Sequence, residues 1–90
     1  MLMKGARKLE RYFKGAANHW RLRIIDCVAR HPGITVDEIS DRLSGNIKTI
    51  SQHTLVLQKA GLLNKRHNAR RVEQVLSPYG TRFHTFMSTF

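Results

Sequence analysis

The sequence has 90 residues and a mass of 10.4 kDa, enough for one domain and too little for two independent cores. Sixteen Lys and Arg stand against six Asp and Glu, a formal charge of +10, which selects polyanionic partners: nucleic acid first, an anionic membrane surface second. A hydrophobic fraction of 41% argues against disorder, the single Cys27 excludes an internal disulfide, and no apolar run reaches the roughly 18 residues of a membrane span.

Met1 to Lys14 is basic and lacks the continuous apolar stretch and small-residue cleavage site of a secretory leader, so a cytoplasmic, prokaryotic chain is expected. Within that segment Leu2, Ala6, Leu9, Phe13 and Ala16 fall on one arc of a helical wheel. Lys4, Arg7, Lys8, Arg11 and Lys14 fall on the opposite arc, which predicts a first helix from about Lys4 to Lys14 or Gly15. Asn18 is placed to cap a second helix carrying Leu22, Ile25, Val28 and Ala29 at helical spacing, and His31-Pro32-Gly33 ends it. Thr35 and Glu38 form a capping-box pattern with Ile34 and Ile39 as its hydrophobic staple, starting a short third helix to about Leu43. Ser44-Gly45-Asn46 is a tight turn, Asn46 caps a fourth helix from Ile47 to Ala60, and Gly61 closes it. Two helices joined by a short turn containing glycine are the helix-turn-helix layout.

Beyond Gly61, Leu62 to His67 and Arg71 to Leu76 are predicted strands, joined through His67-Asn68-Ala69-Arg70 with Asn68 as the residue most tolerant of positive φ. Ser77 and Pro78 start a last helix, on which Tyr79, Phe83, Phe86, Met87 and Phe90 share one arc of about 100°. Every aromatic lies near one end of the chain, leaving an aliphatic middle. The predicted class is therefore mainly α with a small β-hairpin wing, a winged helix-turn-helix of order α-α-α-α-β-β-α. Residues 1–90 are expected to form a single DNA-binding domain whose terminal helices, about 4–15 and 78–90, serve dimerisation.

With these elements in place, the sequence resembles the ArsR-type winged-helix repressors, with a MarR-like wing and last helix. The matching stretches are Ala17 to Ile25, Thr49 to Leu57, Ala60-Gly61-Leu62-Leu63, and the wing from Lys65 to Leu76. The resemblance implies a dimeric, cytoplasmic DNA-binding regulator that pairs through its first and last helices. Three positions depart from the family: Thr54 where a leucine is usual, Gly45 in place of an apolar turn residue, and no metal-sensing cysteine motif between Thr35 and Leu43.

The fourth helix is legible without the family. Ile50, Thr54 and Leu57 share its inward arc, and Lys48, Gln52, Leu55 and Lys59 the outward one. In a major groove Lys48 suits guanine acceptors and Gln52 suits adenine. Thr49 and Ser51 flank that stripe, Leu55 suits a thymine methyl or another protein, and Lys59 suits the phosphate backbone. In the wing, Lys65, Arg66, Asn68, Arg70 and Arg71 are candidate DNA contacts, against the alternative of a solvated loop that keeps an edge hairpin soluble. The basic face of the first helix has no assigned purpose, and with Leu9 and Phe13 as its only large anchors no membrane partner is expected. Leu9, Tyr12, Phe13, Tyr79, Phe83, Phe86, Met87 and Phe90 make more apolar surface than a small monomer readily buries, so a homodimer through them is expected.

The acids Glu10, Asp26, Asp37, Glu38, Asp41 and Glu73 are scattered, and neither a phosphate-cradling glycine loop nor a nucleophile elbow is present, so no enzyme and no catalytic residue is expected. Cys27 and His31 are four apart, but two ligands do not make a metal site, and His84 has no acidic or histidine partner one turn away on its own helix. No cofactor or metal is expected within one chain, and no effector is named by the sequence. The leading expectation is a homodimeric, sequence-specific double-stranded DNA binder that represses by occlusion. Two others stay open: an architectural DNA-coating protein with little sequence preference, and a winged-helix adaptor that holds a protein through Leu55 and Val56.

Overall fold

The computed structural model describes residues 5–90. They form α1 (Ala6–Ala16), α2 (His19–Arg30), α3 (Val36–Leu43), α4 (Ile47–Lys59), β1 (Leu63–Asn68), β2 (Arg71–Leu76) and α5 (Pro78–Met87), the order expected of a winged helix-turn-helix. Leu2 and Lys4, assigned to the first helix from the wheel, lie outside the described residues.

Each interior helix starts where its cap residue stands, because a side-chain oxygen satisfies backbone N–H groups that the first turn leaves unpaired. Asn18 Oδ1 accepts from the backbone N–H of Trp20 at 2.8 Å, and Asn46 Oδ1 from that of Lys48 at 2.9 Å. At α3 the capping box is complete: Thr35 Oγ1 accepts from Glu38 N at 3.2 Å, and Glu38 Oε1 accepts from Thr35 N at 2.9 Å. Ser77 caps α5 ahead of Pro78. Helix α4 ends in a Schellman turn: Gly61 adopts φ +85°, its N–H donates to Gln58, and Leu62 N–H donates back to Leu57 O at 2.9 Å. That bond holds Leu62 in the turn, so β1 begins at Leu63 rather than Leu62.

The core is aliphatic, as the sequence implied. Ile24, Ile25 and Val28 of α2, Ile39 of α3, and Ile50 and Leu57 of α4 meet Leu62 and Leu63, all at 1% exposure or less. Gly45 fits the close approach of the turn to this core, since a Cβ there would lie 2.8 Å from Ile50 and 3.2 Å from Trp20. Thr54 is buried with its hydroxyl donating to Ile50 O at 2.7 Å, which removes the penalty of placing a polar group there.

The sheet is one antiparallel hairpin in which Leu63 faces Leu76 and Asn68 faces Arg71. This register leaves Ala69 and Arg70 as the loop, and the positive φ falls on Ala69 at 56° instead of on Asn68, the residue expected to carry it. Ile34 and Gln74 form an additional bridge, with Gln74 N–H donating to Ile34 O at 2.8 Å and Gly33 N–H to Gln74 O at 2.9 Å, so the loop before α3 is stitched to the wing.

The two aromatic ends, assigned from sequence to a contact between copies, first meet each other. Tyr12 packs on Tyr79 with ring centroids 4.8 Å apart, and Phe13 lies 5.5 Å from Phe83 and 6.4 Å from Phe86. Tyr12, Tyr79, Phe83 and Met87 are partly buried against their own core, and Leu9 is half-buried. Phe13, Phe86 and Phe90 remain outward at 50, 47 and 95% exposure. Helix α5 stops at Met87, short of the expected residue 90. Among the described residues no helix is long and apolar enough to cross a membrane.

Candidate nucleic-acid interface

Helix α4 is seated on the core by Ile50, Thr54 and Leu57, and this seating decides what its other side presents. Lys48, Ser51, Gln52, Leu55 and Lys59 are exposed, Thr49 is half-buried, and Ile47 and Val56 add exposed apolar surface beside them. Polar donors thus occupy the amino-terminal half of the helix, with Leu55 at 47% exposure further along.

On the remaining edge of α4, His53 Nδ1 lies 3.2 Å from Arg21 Nη1 of α2, and Arg21 Nη2 reaches the carbonyls of Lys14 and Ala17 at 3.5 Å. This one guanidinium joins the end of α1 to α2 and α4. Partial burial first, then the charges of Arg21 and His19, hold His53 below the ordinary histidine value near 6.5, so it stays neutral at physiological pH. The unfolded chain takes up a proton at His53 near pH 6.5, and the folded chain only at lower pH. Below about pH 6.5 the unfolded state therefore binds more protons and stability falls as pH drops. Urea melts at about pH 7.5 and pH 5.5 should show this loss in the native chain and less of it in His53→Asn; an equal loss in both assigns the pH dependence elsewhere.

The wing residues divide into two groups. Lys65 and Arg70 are exposed and take part in no ion pair among the described residues. Arg66, Asn68 and Arg71 instead converge on Glu73. Arg66 Nη2 lies 2.8 Å from Glu73 Oε1, Asn68 Nδ2 donates to Oε2 at 3.3 Å, and Arg71 Nε lies 3.5 Å from Oε2. Arg71 also reaches Glu38 Oε1 at 2.9 Å and Gly33 O at 3.3 Å. Arg66 and then Asn68 hold the Glu73 carboxyl below the usual range; Thr35 and then Arg71 push Glu38 down to about 2. In the sequence Glu73 reads as one of several scattered acids. The signal that would have found it is the hairpin register, which sets Arg66 directly opposite Glu73.

A second link joins elements far apart in sequence: His84 Nε2 of α5 lies 2.9 Å from Asp26 Oδ1 of α2, whose other oxygen takes Arg30 at 3.0 Å. The hydrogen bond to His84 leads in holding the Asp26 carboxyl low. His84 thus has its acidic partner on another helix. Cys27 is buried, with its thiol pushed up by burial, and among the described residues no group of three or more His, Cys, Asp or Glu is placed to hold a metal.

The matching profile for winged helix-turn-helix DNA-binding domains covers residues 19–64, from the start of α2 into β1. Over 74 residues, 82% of this chain and 68% of the relative, the sequence is 35% identical to the transcriptional activator HlyU of Vibrio cholerae. The solved structure of HlyU from the same organism is similar with a TM-score of 0.85 at 28% identity, covering 98% of this chain and 96% of that one. A homodimeric winged helix-turn-helix DNA-binding domain from Mycobacterium bovis, solved in solution, shares the fold with a TM-score of 0.82 at 23% identity, covering 99% of this chain and 88% of that one.

Proposed function

The chain belongs to the winged helix-turn-helix DNA-binding family, among its ArsR-type transcriptional regulators, and from that premise we propose that it is a homodimer reading a palindromic operator and repressing by occupying it. The observation that carries this reading is the outward face of α4: Lys48, Thr49, Ser51 and Gln52 stand ahead of Leu55 and Lys59 on a helix whose opposite side is locked into the core. In the reading, the amino-terminal half of α4 meets base edges in the major groove, Gln52 pairing with adenine and Lys48 with guanine. Lys59 and the exposed wing cations Lys65 and Arg70 meet phosphate. The outward rings Phe13, Phe86 and Phe90 cover their counterparts in a second copy, with Leu9, Tyr12, Tyr79, Phe83 and Met87 supporting them from behind.

Selection from a random duplex pool at about 0.15 M salt tests this directly. The expected product is a palindrome with half-sites about one helical turn apart, bound by two copies. Equal affinity for random and selected duplexes favours DNA coating over regulation, the outcome to which the exposed Arg7, Lys8, Arg11 and Lys14 of α1 would then contribute. A promoter fusion carrying the selected site should be silenced; induction makes the protein an activator, as HlyU is named. Replacing Gln52 by alanine should cost about 1–3 kcal/mol on the selected site and relax preference at one base position. A uniform loss across all sequences would move Gln52 from base reading to backbone contact.

A further inference from the structure

The wing carries four cations, Lys65, Arg66, Arg70 and Arg71, yet Glu73 is only 7% exposed at their centre and two of the four close on it. Three segments supply this cluster. Glu73 lies on β2 opposite Arg66 of β1, Glu38 lies in the first turn of α3, and Gly33 adopts φ +91° in the loop between. That loop passes so close that a Cβ at Gly33 would lie 3.4 Å from Arg66 Nη2 and 3.6 Å from Glu73 Cδ. Arg71 spans the three, donating to Glu38, to Gly33 O and towards Glu73. Glu38 uses one oxygen, Oε1, both for this ion pair and for capping α3 through Thr35 N.

We propose that Glu73, with Glu38, is a positioning residue for DNA recognition: it withholds Arg66 and Arg71 from phosphate and locks the wing to the amino end of α3, leaving Lys65 and Arg70 as the wing's DNA-contacting cations. The proposal rests on the reading of the wing as a DNA contact. Its physical basis is the asymmetry of breaking an ion pair in which the carboxylate is buried and the guanidinium is exposed. A carboxylate with so little exposure that loses its guanidinium keeps its desolvation cost without compensation, so Arg66 gains less from a phosphate than Lys65 or Arg70, which leave nothing behind. Two carboxylates and two guanidinium groups also cancel in formal charge, so part of the wing's electrostatics is removed from sequence-independent attraction. In a chain of charge +10, such quenching favours discrimination over mere adhesion.

The test needs no operator. Binding to a labelled random-sequence duplex is followed between about 50 and 200 mM salt, where each phosphate contact contributes about 0.9 to the slope of log K against log salt. Arg70→Gln and Lys65→Gln should each flatten the slope by about 0.9, a roughly threefold change across that range. Arg66→Gln and Arg71→Gln should leave it unchanged. Glu73→Gln should steepen the slope as Arg66 is released, and adding Arg66→Gln to it should restore the native value. A purely structural role for Glu73 shifts thermal melting without steepening the slope, which overturns the proposal. So does flattening by Arg66→Gln or Arg71→Gln equal to that of Arg70→Gln. If Lys65→Gln and Arg70→Gln have no effect, the wing reading itself fails and the proposal with it. Should Glu73→Gln not fold, the slopes of Arg66→Gln and Arg71→Gln decide alone.

Discussion

Gly80→Ala should be among the most destabilising single-methyl changes in this protein, costing about 3 kcal/mol, the upper part of the overpacking range. Gly80 sits in the first turn of α5 and is buried. A Cβ there would fall well inside van der Waals contact with the carbonyl oxygen of Leu62 and 3.4 Å from Leu76 Cβ. The obstacle is backbone, so no side chain can swing aside. That carbonyl is also engaged, accepting from Ser77 N at 3.0 Å, while Ser77 Oγ donates to Gly61 O at 2.6 Å and accepts from Gly80 N at 2.9 Å. The methyl therefore pushes against the knot that ties α5 to the Schellman turn after α4. For a domain of this size the loss corresponds to a fall in Tm on the order of 10–20 °C. Urea melts of native protein and variant give the comparison directly. A difference under about 0.5 kcal/mol, the usual size of a surface effect, would show that α5 slides without resistance and that Gly80 is incidental.

Phe86→Asp should act on assembly rather than on the fold. Phe86 is 47% exposed and lies at the centre of an outward aromatic set, 5.2 Å from Phe90, 6.1 Å from Phe83 and 6.4 Å from Phe13. Half its surface is in water in the single chain, so losing it there forfeits only part of the roughly 1.5–3 kcal/mol that complete burial contributes. In a two-fold interface each change occurs twice and sets unpaired carboxylates in apolar contact, which a dimer does not tolerate. The expected product is a folded monomer by light scattering. Its affinity for the selected palindrome should fall by at least about a hundredfold, because the second half-site no longer benefits from effective concentration. A variant that stays dimeric would place the interface on another face. A monomer that binds the palindrome unweakened would remove dimerisation from the mechanism.

Much of this was legible in the chain because it depends on neighbours in sequence. Asn18, Thr35 with Glu38, Asn46 and Ser77 with Pro78 mark the helix starts where the structure has them, since a cap acts over two or three residues. The outward stripe on α4 follows from period alone. Boundaries were less legible where a tertiary contact overrode the local signal. Helix α1 continues through Gly15 to Ala16, both buried, where a Cβ on Gly15 would collide with that of Ala60.

What the sequence determined by itself is the order of elements, the aliphatic core and the side of α4 that faces water: each rests on periodicity and on hydrogen bonds closed within a turn. What only the tertiary structure decided is which charges are free. Arg66 and Arg70 look alike in the sequence, yet one faces a buried carboxylate across the hairpin and the other occupies its loop. His84 finds Asp26 across 58 positions, and Arg21 finds His53 across 32. The terminal aromatics, alike on their wheels, divide into rings that pack on their own core and rings left outward. A net charge or an apolar stripe sums over residues without regard to partners, whereas a contact depends on pairs that only the folded chain brings together.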